Sequence, residues 1–383
     1  MTPAHSPPGA HIAFMSVPLH GHVNPMLGVV AELVGRGHRV TFATAPAFGA
    51  LVEEAGAALV PYTSTFPSPG TPGRGWLATD DDGRQAAAVF ARERDVALPQ
   101  VAAAYQGDRP DLIVYDTVTA HAPLLARHWR VPEVQFSPTH VFYSGSEEQI
   151  GAPVRVAPDV KPCVVAMPRS LQVNAAQVDD SYLFVGPVPW RRRTDGDWTA
   201  PPGRPVALVS LGTTYNTRPG VFADCAAALA GDGWHVVIAT GTTVDPAALG
   251  DLPAGVEVHR WVPQVRVLEQ AGVFVTAGGT GSVLEGLTQG VPLVVVPQGV
   301  EQFVTAARVE ALGVGRVVPP RAFDAEAVRD AVRAVTTSPE TRVRLDELRA
   351  EIAAAGGARA AADHIELHLP LAGATPVEKG RAA

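Results

Sequence analysis

Two stretches of the chain carry residue types that can move a proton or hold a phosphate. The first is Pro18-Leu19-His20-Gly21-His22-Val23-Asn24-Pro25, which follows the apolar run His11 to Val17. An imidazole there has an ordinary pKa suited to general-base work near neutrality, and His20 is the candidate base. Asp116 stands just past a second apolar run, Leu112 to Tyr115. A carboxylate in that place can accept a hydrogen bond from one ring nitrogen, fix the tautomer and stabilise the imidazolium. It can equally cap a following helix through Thr117 and Val118, and spacing does not separate the two roles.

The second stretch runs from Val273 to Thr276 into Ala277-Gly278-Gly279-Thr280-Gly281-Ser282 and on through a helical pattern to Leu287. Glycines at a helix N-terminus expose oriented N–H groups, which with the helix dipole favour a diphosphate. Many such turns serve only tight packing, so the neighbours matter. Ser210-Leu211-Gly212-Thr213-Thr214 ends another strand-like run and adds hydroxyls and amides toward the same crevice, with Gly212 and Thr213 as the candidate donor-binding residues. Glu285 lies one turn into the helix, suited to a ribose, while Glu301 and Gln302 in Pro297–Gln302 suit sugar hydroxyls. Trp261-Val262-Pro263-Gln264 offers a flat ring for a nucleobase, although a Trp beside a tight turn is also an ordinary core residue.

These residues need a scaffold that gathers them, and the hydrophobic pattern predicts one. Apolar runs at His11–Val17, Val40–Ala43, Leu112–Tyr115, Glu133–Phe136 and Tyr182–Val185 alternate with helical segments, including one from Pro25 to Gly37. Strand-helix alternation of this kind specifies a parallel sheet. The same grammar restarts at Val206–Ser210, His235–Ile238, Val273–Thr276 and Leu293–Val296. The expected fold class is therefore α/β, with two Rossmann-like domains facing a central cleft and active-site loops at the carboxyl ends of the strands. Residues 1–188 form the expected first domain, 189–205 a linker rich in Pro, Gly, Arg and Asp, and 206–368 the second domain. Residues 369–383 read as a disordered tail.

Composition narrows the function classes. The 383 residues carry a formal net charge of -8, and no basic block exceeds Arg191-Arg192-Arg193, so no nucleic-acid footprint is present. An acidic chain that handles a phosphorylated ligand must rely on local amides. Two cysteines, Cys163 and Cys225, far apart, make neither a disulfide framework nor a metal site, and a reducing cytoplasm is expected. The first ten residues lack a basic segment followed by an apolar one, and no membrane span is expected.

From about His11 to His368 the chain resembles the GT-B glycosyltransferases of the UDP-glycosyltransferase superfamily (family 1), especially the bacterial macrolide and natural-product group. His20 to Pro25 looks like the acceptor-side signature of that family, Pro110 to Asp116 like the segment bearing its Asp, and Trp261–Gln264, Gly278–Glu285 and Pro297–Gln302 like successive parts of its donor signature. The resemblance implies an inverting hexosyl transfer from a UDP-sugar to a hydroxyl of a small hydrophobic acceptor such as a macrolide or phenolic. No metal or cofactor is required, and the protein would be a monomer or homodimer. His20 and Asp116 would be catalytic; Trp261 would stack on uracil with Gln264 beside it, Glu285 would hold the ribose, and Glu301 with Gln302 the sugar. Met15, Phe142 and Tyr143 are candidate acceptor-lining residues. Two departures stand out: Ala277 replaces a diphosphate-contacting His common in relatives, and the stretch between Ser137 and Ser170 is short. Ala277 also permits an alternative, a weakened nucleotide-sugar binder that assists a partner enzyme.

Overall fold

The computed structural model describes residues 9–67, 84–141, 162–190, 196–212, 219–241 and 244–370. Two parallel sheets organise them. Seven strands, β1 (His11–Met15), β2 (Arg39–Thr44), β3 (Ala58–Pro61), β4 (Leu112–Asp116), β5 (Glu133–Ser137), β6 (Cys163–Val165) and β7 (Tyr182–Phe184), lie in the order β3-β2-β1-β4-β5-β6-β7. Six more, β8 (Val206–Ser210), β9 (His235–Ala239), β10 (Val256–His259), β11 (Ala271–Thr276), β12 (Leu293–Val295) and β13 (Gly315–Val317), lie in the order β10-β9-β8-β11-β12-β13. The central strands β1, β4, β8 and β9 are buried at every residue. That is why their sequences are unbroken apolar runs rather than alternating ones.

Helices cover the sheets: α1 (His20–Gly35), α2 (Gly49–Glu54), α3 (Arg84–Ala104) and α4 (Ala122–Trp129) in the first half, then α5 (Pro219–Gly231), α6 (Gln264–Leu268), α7 (Thr280–Gln289), α8 (Val300–Ala311), α9 (Ala325–Thr337), α10 (Pro339–Ala354) and α11 (Gly357–Glu366). In each sheet the strand order reverses once near the middle, at β1/β4 and at β8/β11. Loops leaving adjacent strands at such a reversal part to opposite faces and open a crevice.

Three boundaries differ from the sequence expectation. Helix α1 begins at His20, so the predicted His-Gly-His loop is its first turn, and Pro25 sits inside it. Proline lacks the N–H that a helix interior needs, and as the sixth residue of α1 Pro25 lies past the N–H groups that have no intrahelical partner, so the bond to the Gly21 carbonyl is missing there. Helix α11, expected within the second domain, buries Ala361, Ala362 and Ile365 in the core of the first half beside α1. Leu369, expected in the tail, joins the same core, while 371–383 lie outside the described residues. The pattern also missed the short strands β3, β6, β10 and β13.

Candidate active site

Strands β1 and β4 pair in register from Ile12 with Leu112 to Met15 with Tyr115, so the loop after Met15 and the side chain of Asp116 emerge together. Asp116 is fully buried. Its Oδ1 lies 2.9 Å from His22 Nδ1, and its Oδ2 accepts from Thr119 Oγ1 at 3.3 Å. The Thr119 hydroxyl in turn accepts from Val17 N–H at 3.2 Å, and its own N–H donates to the Asp116 carbonyl at 2.8 Å. Both carboxylate oxygens are thus tethered, one to the imidazole and one to the end of β1. The carboxylate accepts, so Nδ1 carries the hydrogen and Nε2 is the basic nitrogen.

The expected partner of Asp116 was His20, and this is corrected: the structure gives Asp116 to His22. Residues two apart on a helix point about 200° from one another, so α1 can present only one of the two rings to the carboxylate. His20 instead meets the ring of Phe48 at 5.0 Å and that of Trp261 at 6.1 Å. The His22 side chain is 20% exposed against 0% for Asp116, the disposition of a ring that faces a cleft with its support behind it. Burial pulls its pKa down, but the charge and hydrogen bond of Asp116, with Glu301 farther off, outweigh burial and raise it above 6.5.

In the second half β11 and β8 pair from Ala271 to Thr276, with Thr276 opposite Ser210, so Leu211-Gly212 and Ala277-Gly278-Gly279 leave side by side. Gly278 has φ +86, and a Cβ there would come within 2.7 Å of Val295 and 3.3 Å of the Gln302 carbonyl. Only glycine suits that turn. It delivers the chain to Gly279, the N-cap of α7, where no side chain occupies the first amides. Ala277, at the place of the diphosphate-contacting His, is 2% exposed and packs in an apolar cluster.

Around this turn the sequence-predicted groups converge. Gln264 Nε2 donates to Glu285 Oε2 at 2.6 Å and to Ser282 Oγ at 3.3 Å, fixing Glu285 on the same face as the helix start. Val262 is half-buried, and Trp261 is 56% exposed, a presented ring rather than a core one. Gly281 is exposed at the helix start. Glu301 Oε1 accepts from Thr280 Oγ1 at 3.0 Å and, from the first half, Thr139 Oγ1 at 3.2 Å. Thr139 was missed, although it follows β5 as Asp116 ends β4, and the same rule would have found it. Gln302 is buried, and its Oε1 accepts from the N–H of Gln298 and Gly299 at 2.7 and 3.0 Å, so the carbonyl caps α8. Met15 does not line a pocket; it is fully buried in the core between β1 and its neighbours. Phe142, Tyr143 and Thr213 lie outside the described residues.

Comparison with known proteins shows the family. The chain is 40% identical to the oleandomycin glycosyltransferase of Streptomyces antibioticus over 94% of its own length and 91% of that protein. The chain belongs to the bacterial natural-product glycosyltransferases of family 1. It is 36% identical to the NDP-glycosyltransferase YjiC of Bacillus licheniformis, covering 95% of this chain and 98% of that one. Residues 227–366 match the C-terminal domain of the erythromycin biosynthesis protein CIII-like family. The solved glycosyltransferase of kitacinnamycin superposes with a TM-score of 0.84 at 39% identity, over 95% of this chain and 100% of that one. This glycosyltransferase therefore has the GT-B architecture, and sugar transfer is its activity. Among the described residues no helix is long and apolar enough to cross a membrane.

Proposed function

We propose that this glycosyltransferase moves a hexose from a UDP-sugar to the hydroxyl of a small, largely apolar acceptor, with inversion at the anomeric carbon and without a metal. The observation that carries this reading is the His22 Nδ1 to Asp116 Oδ1 contact of 2.9 Å at the β1/β4 reversal. His22 Nε2 takes the acceptor proton as the acceptor oxygen bonds to the anomeric carbon. The bond from that carbon to the diphosphate breaks on the opposite face, and the nucleotide leaves with the electron pair. Asp116 stays ionised and balances the imidazolium.

Charge on the departing diphosphate falls to the first amides of α7, over Gly279, Thr280, Gly281 and Ser282, with Gly212 opposite. Trp261 stacks on the uracil with Gln264 beside it, Glu285 holds the ribose hydroxyls, and Glu301 with the Nε2 of Gln302 holds the sugar. The Thr139 and Thr280 hydroxyls now on Glu301 stand in the manner of sugar hydroxyls on the same carboxylate. Kinship with the oleandomycin glycosyltransferase supports a macrolide as the first acceptor to try.

The test is His22→Ala assayed with UDP-glucose and a panel of macrolides and phenols, in the presence of EDTA. Loss of the base should cut kcat by about 10²- to 10⁴-fold while calorimetry finds UDP binding retained. Undiminished turnover would remove His22 from the role.

A further inference from the structure

The two histidines of α1 divide between different neighbours, and the one that Asp116 does not take has a place of its own. His20 opens the helix, with its ring edge-on to Phe48 at 5.0 Å and 61°. Phe48 is fully buried in the core of the first half, so it is a fixed abutment. The His20 ring also lies 6.1 Å from that of Trp261, at 59°. Trp261 belongs to the second half and is more exposed than any other large apolar side chain of the described residues except Leu367. Two successive ring contacts therefore link the first core to the exposed indole of the second half, on which a nucleobase would stack.

We propose that His20 is a positioning residue for the donor: through ring contact, anchored by Phe48, it holds Trp261 in the orientation that a nucleobase needs. The inference rests on the donor role of Trp261 proposed above. An exposed indole samples several rotamers, and binding must freeze it in one. An aromatic neighbour at 5 to 7 Å favours an edge-on or tilted arrangement and removes part of that ordering cost in advance. The base platform then belongs to both halves of the molecule, and a nucleotide is gripped fully only when they meet. The contact needs a ring at position 20 and makes no use of its basicity, so a phenyl ring should substitute.

The experiment compares UDP with inorganic pyrophosphate, which lacks the base, by calorimetry on the full chain carrying His20→Ala, His20→Phe, Trp261→Ala or both alanines. His20→Ala should weaken UDP by about three- to tenfold and leave pyrophosphate binding as it was, and His20→Phe should restore most of the UDP affinity. The double variant should bind UDP no more weakly than Trp261→Ala alone, because the first ring acts only through the second. The acid limb of the kcat profile at saturating donor should not move in His20→Ala. If Trp261→Ala weakens UDP while His20→Ala does not, the inference is overturned and the donor reading survives. If Trp261→Ala itself leaves UDP binding unchanged, the donor reading fails and carries the inference with it. If His20→Phe binds UDP normally but loses turnover by orders of magnitude, His20 is a proton acceptor after all, and the inference is overturned.

Discussion

An imidazole works as a base only while it is neutral, and at His22 three influences set when that is. Burial disfavours the charged ring; the carboxylate of Asp116, by charge and by hydrogen bond, favours it, and Glu301 adds to the carboxylate's side, so the pKa rises above 6.5. The acid limb of kcat/KM should therefore lie above pH 6.5, activity falling as the ring protonates. In Asp116→Asn the counter-charge is gone and burial dominates, so the limb should move to lower pH while kcat falls. A wild-type limb below 6.5 in a pH–rate profile would contradict His22 as the base. The same shift acts oppositely on stability. A raised folded-state pKa contributes stability that is complete below the unfolded value and is lost as pH rises through the folded one. Catalysis and this part of stability thus favour opposite ends of the range. Ala277 poses a second residue-scale question, because its methyl is 2% exposed among packed apolar side chains. Ala277→His should tighten UDP by roughly tenfold through a new phosphate contact, at a packing cost of about 1 to 3 kcal/mol. Unchanged UDP affinity in calorimetry would show that an imidazole there cannot reach the diphosphate.

Helix starts do most of the placing in this molecule, and each is made differently. The start of α7 is left open by glycine, whereas the start of α8 is closed by Gln302, whose Oε1 accepts from two backbone amides. The two ends of one side chain can therefore be separated. Gln302→Glu keeps an acceptor for the cap but loses the N–H donor offered to the sugar, so it should hold the melting temperature and weaken the UDP-sugar more than UDP. Gln302→Ala loses the cap as well, at about 1 kcal/mol of stability. Equal affinities of Gln302→Glu and wild type for the UDP-sugar would take the residue out of sugar binding. The difference between open and closed starts was only half legible in the sequence. The Gly-Gly pair announces an exposed helix end, and the strands flanking it are readable because a strand buried on both faces must be apolar throughout. Which way Gln302 turns is decided by amides three and four residues away. The phase of α1 was hidden too, since Pro25 looked like a helix beginning when it lies inside one, and that phase alone decides which histidine faces Asp116. Strands β6, β7, β12 and β13 are three residues long, too short for any period to show, and only β7 and β12 were found, because the apolar runs that hold them are longer.

The halves of the molecule share a buried apolar cluster in which Val165, Met167 and Leu171 meet Leu284, Val309 and Leu348, and two further ties flank it at different distances from the chemistry. Along one face of α8, Glu301 meets Thr139, Thr305 lies 3.4 Å from His140, and Arg308 bonds the Ser170 carbonyl, so the helix that begins with the sugar carboxylate rides on the first half. Farther off, α11 returns from the end of the second half to the first, burying Ala361, Ala362 and Ile365 beside α1. Arg36 meets Glu32, Asp363 and Glu366 there, with His38 also on Glu366 at 2.9 Å. The ion pairs are the more conspicuous tie, but magnitudes favour the core. Asp363 is 61% exposed, and an exposed pair is worth about 0 to 1 kcal/mol. Ile365 is fully buried, and removing most of such a side chain costs about 2 to 5 kcal/mol. Ile365→Ala should therefore destabilise the protein severalfold more than Asp363→Ala. Because α11 belongs by sequence to one half and by packing to the other, losing its grip should also uncouple them. Scanning calorimetry should find one cooperative transition in the wild type and, in Ile365→Ala, an earlier transition for the first half separated from that of the second. A single transition at an unchanged temperature would mean that the α8 face and the shared apolar cluster bind the halves without α11, and that α11 merely rests on a core complete without it.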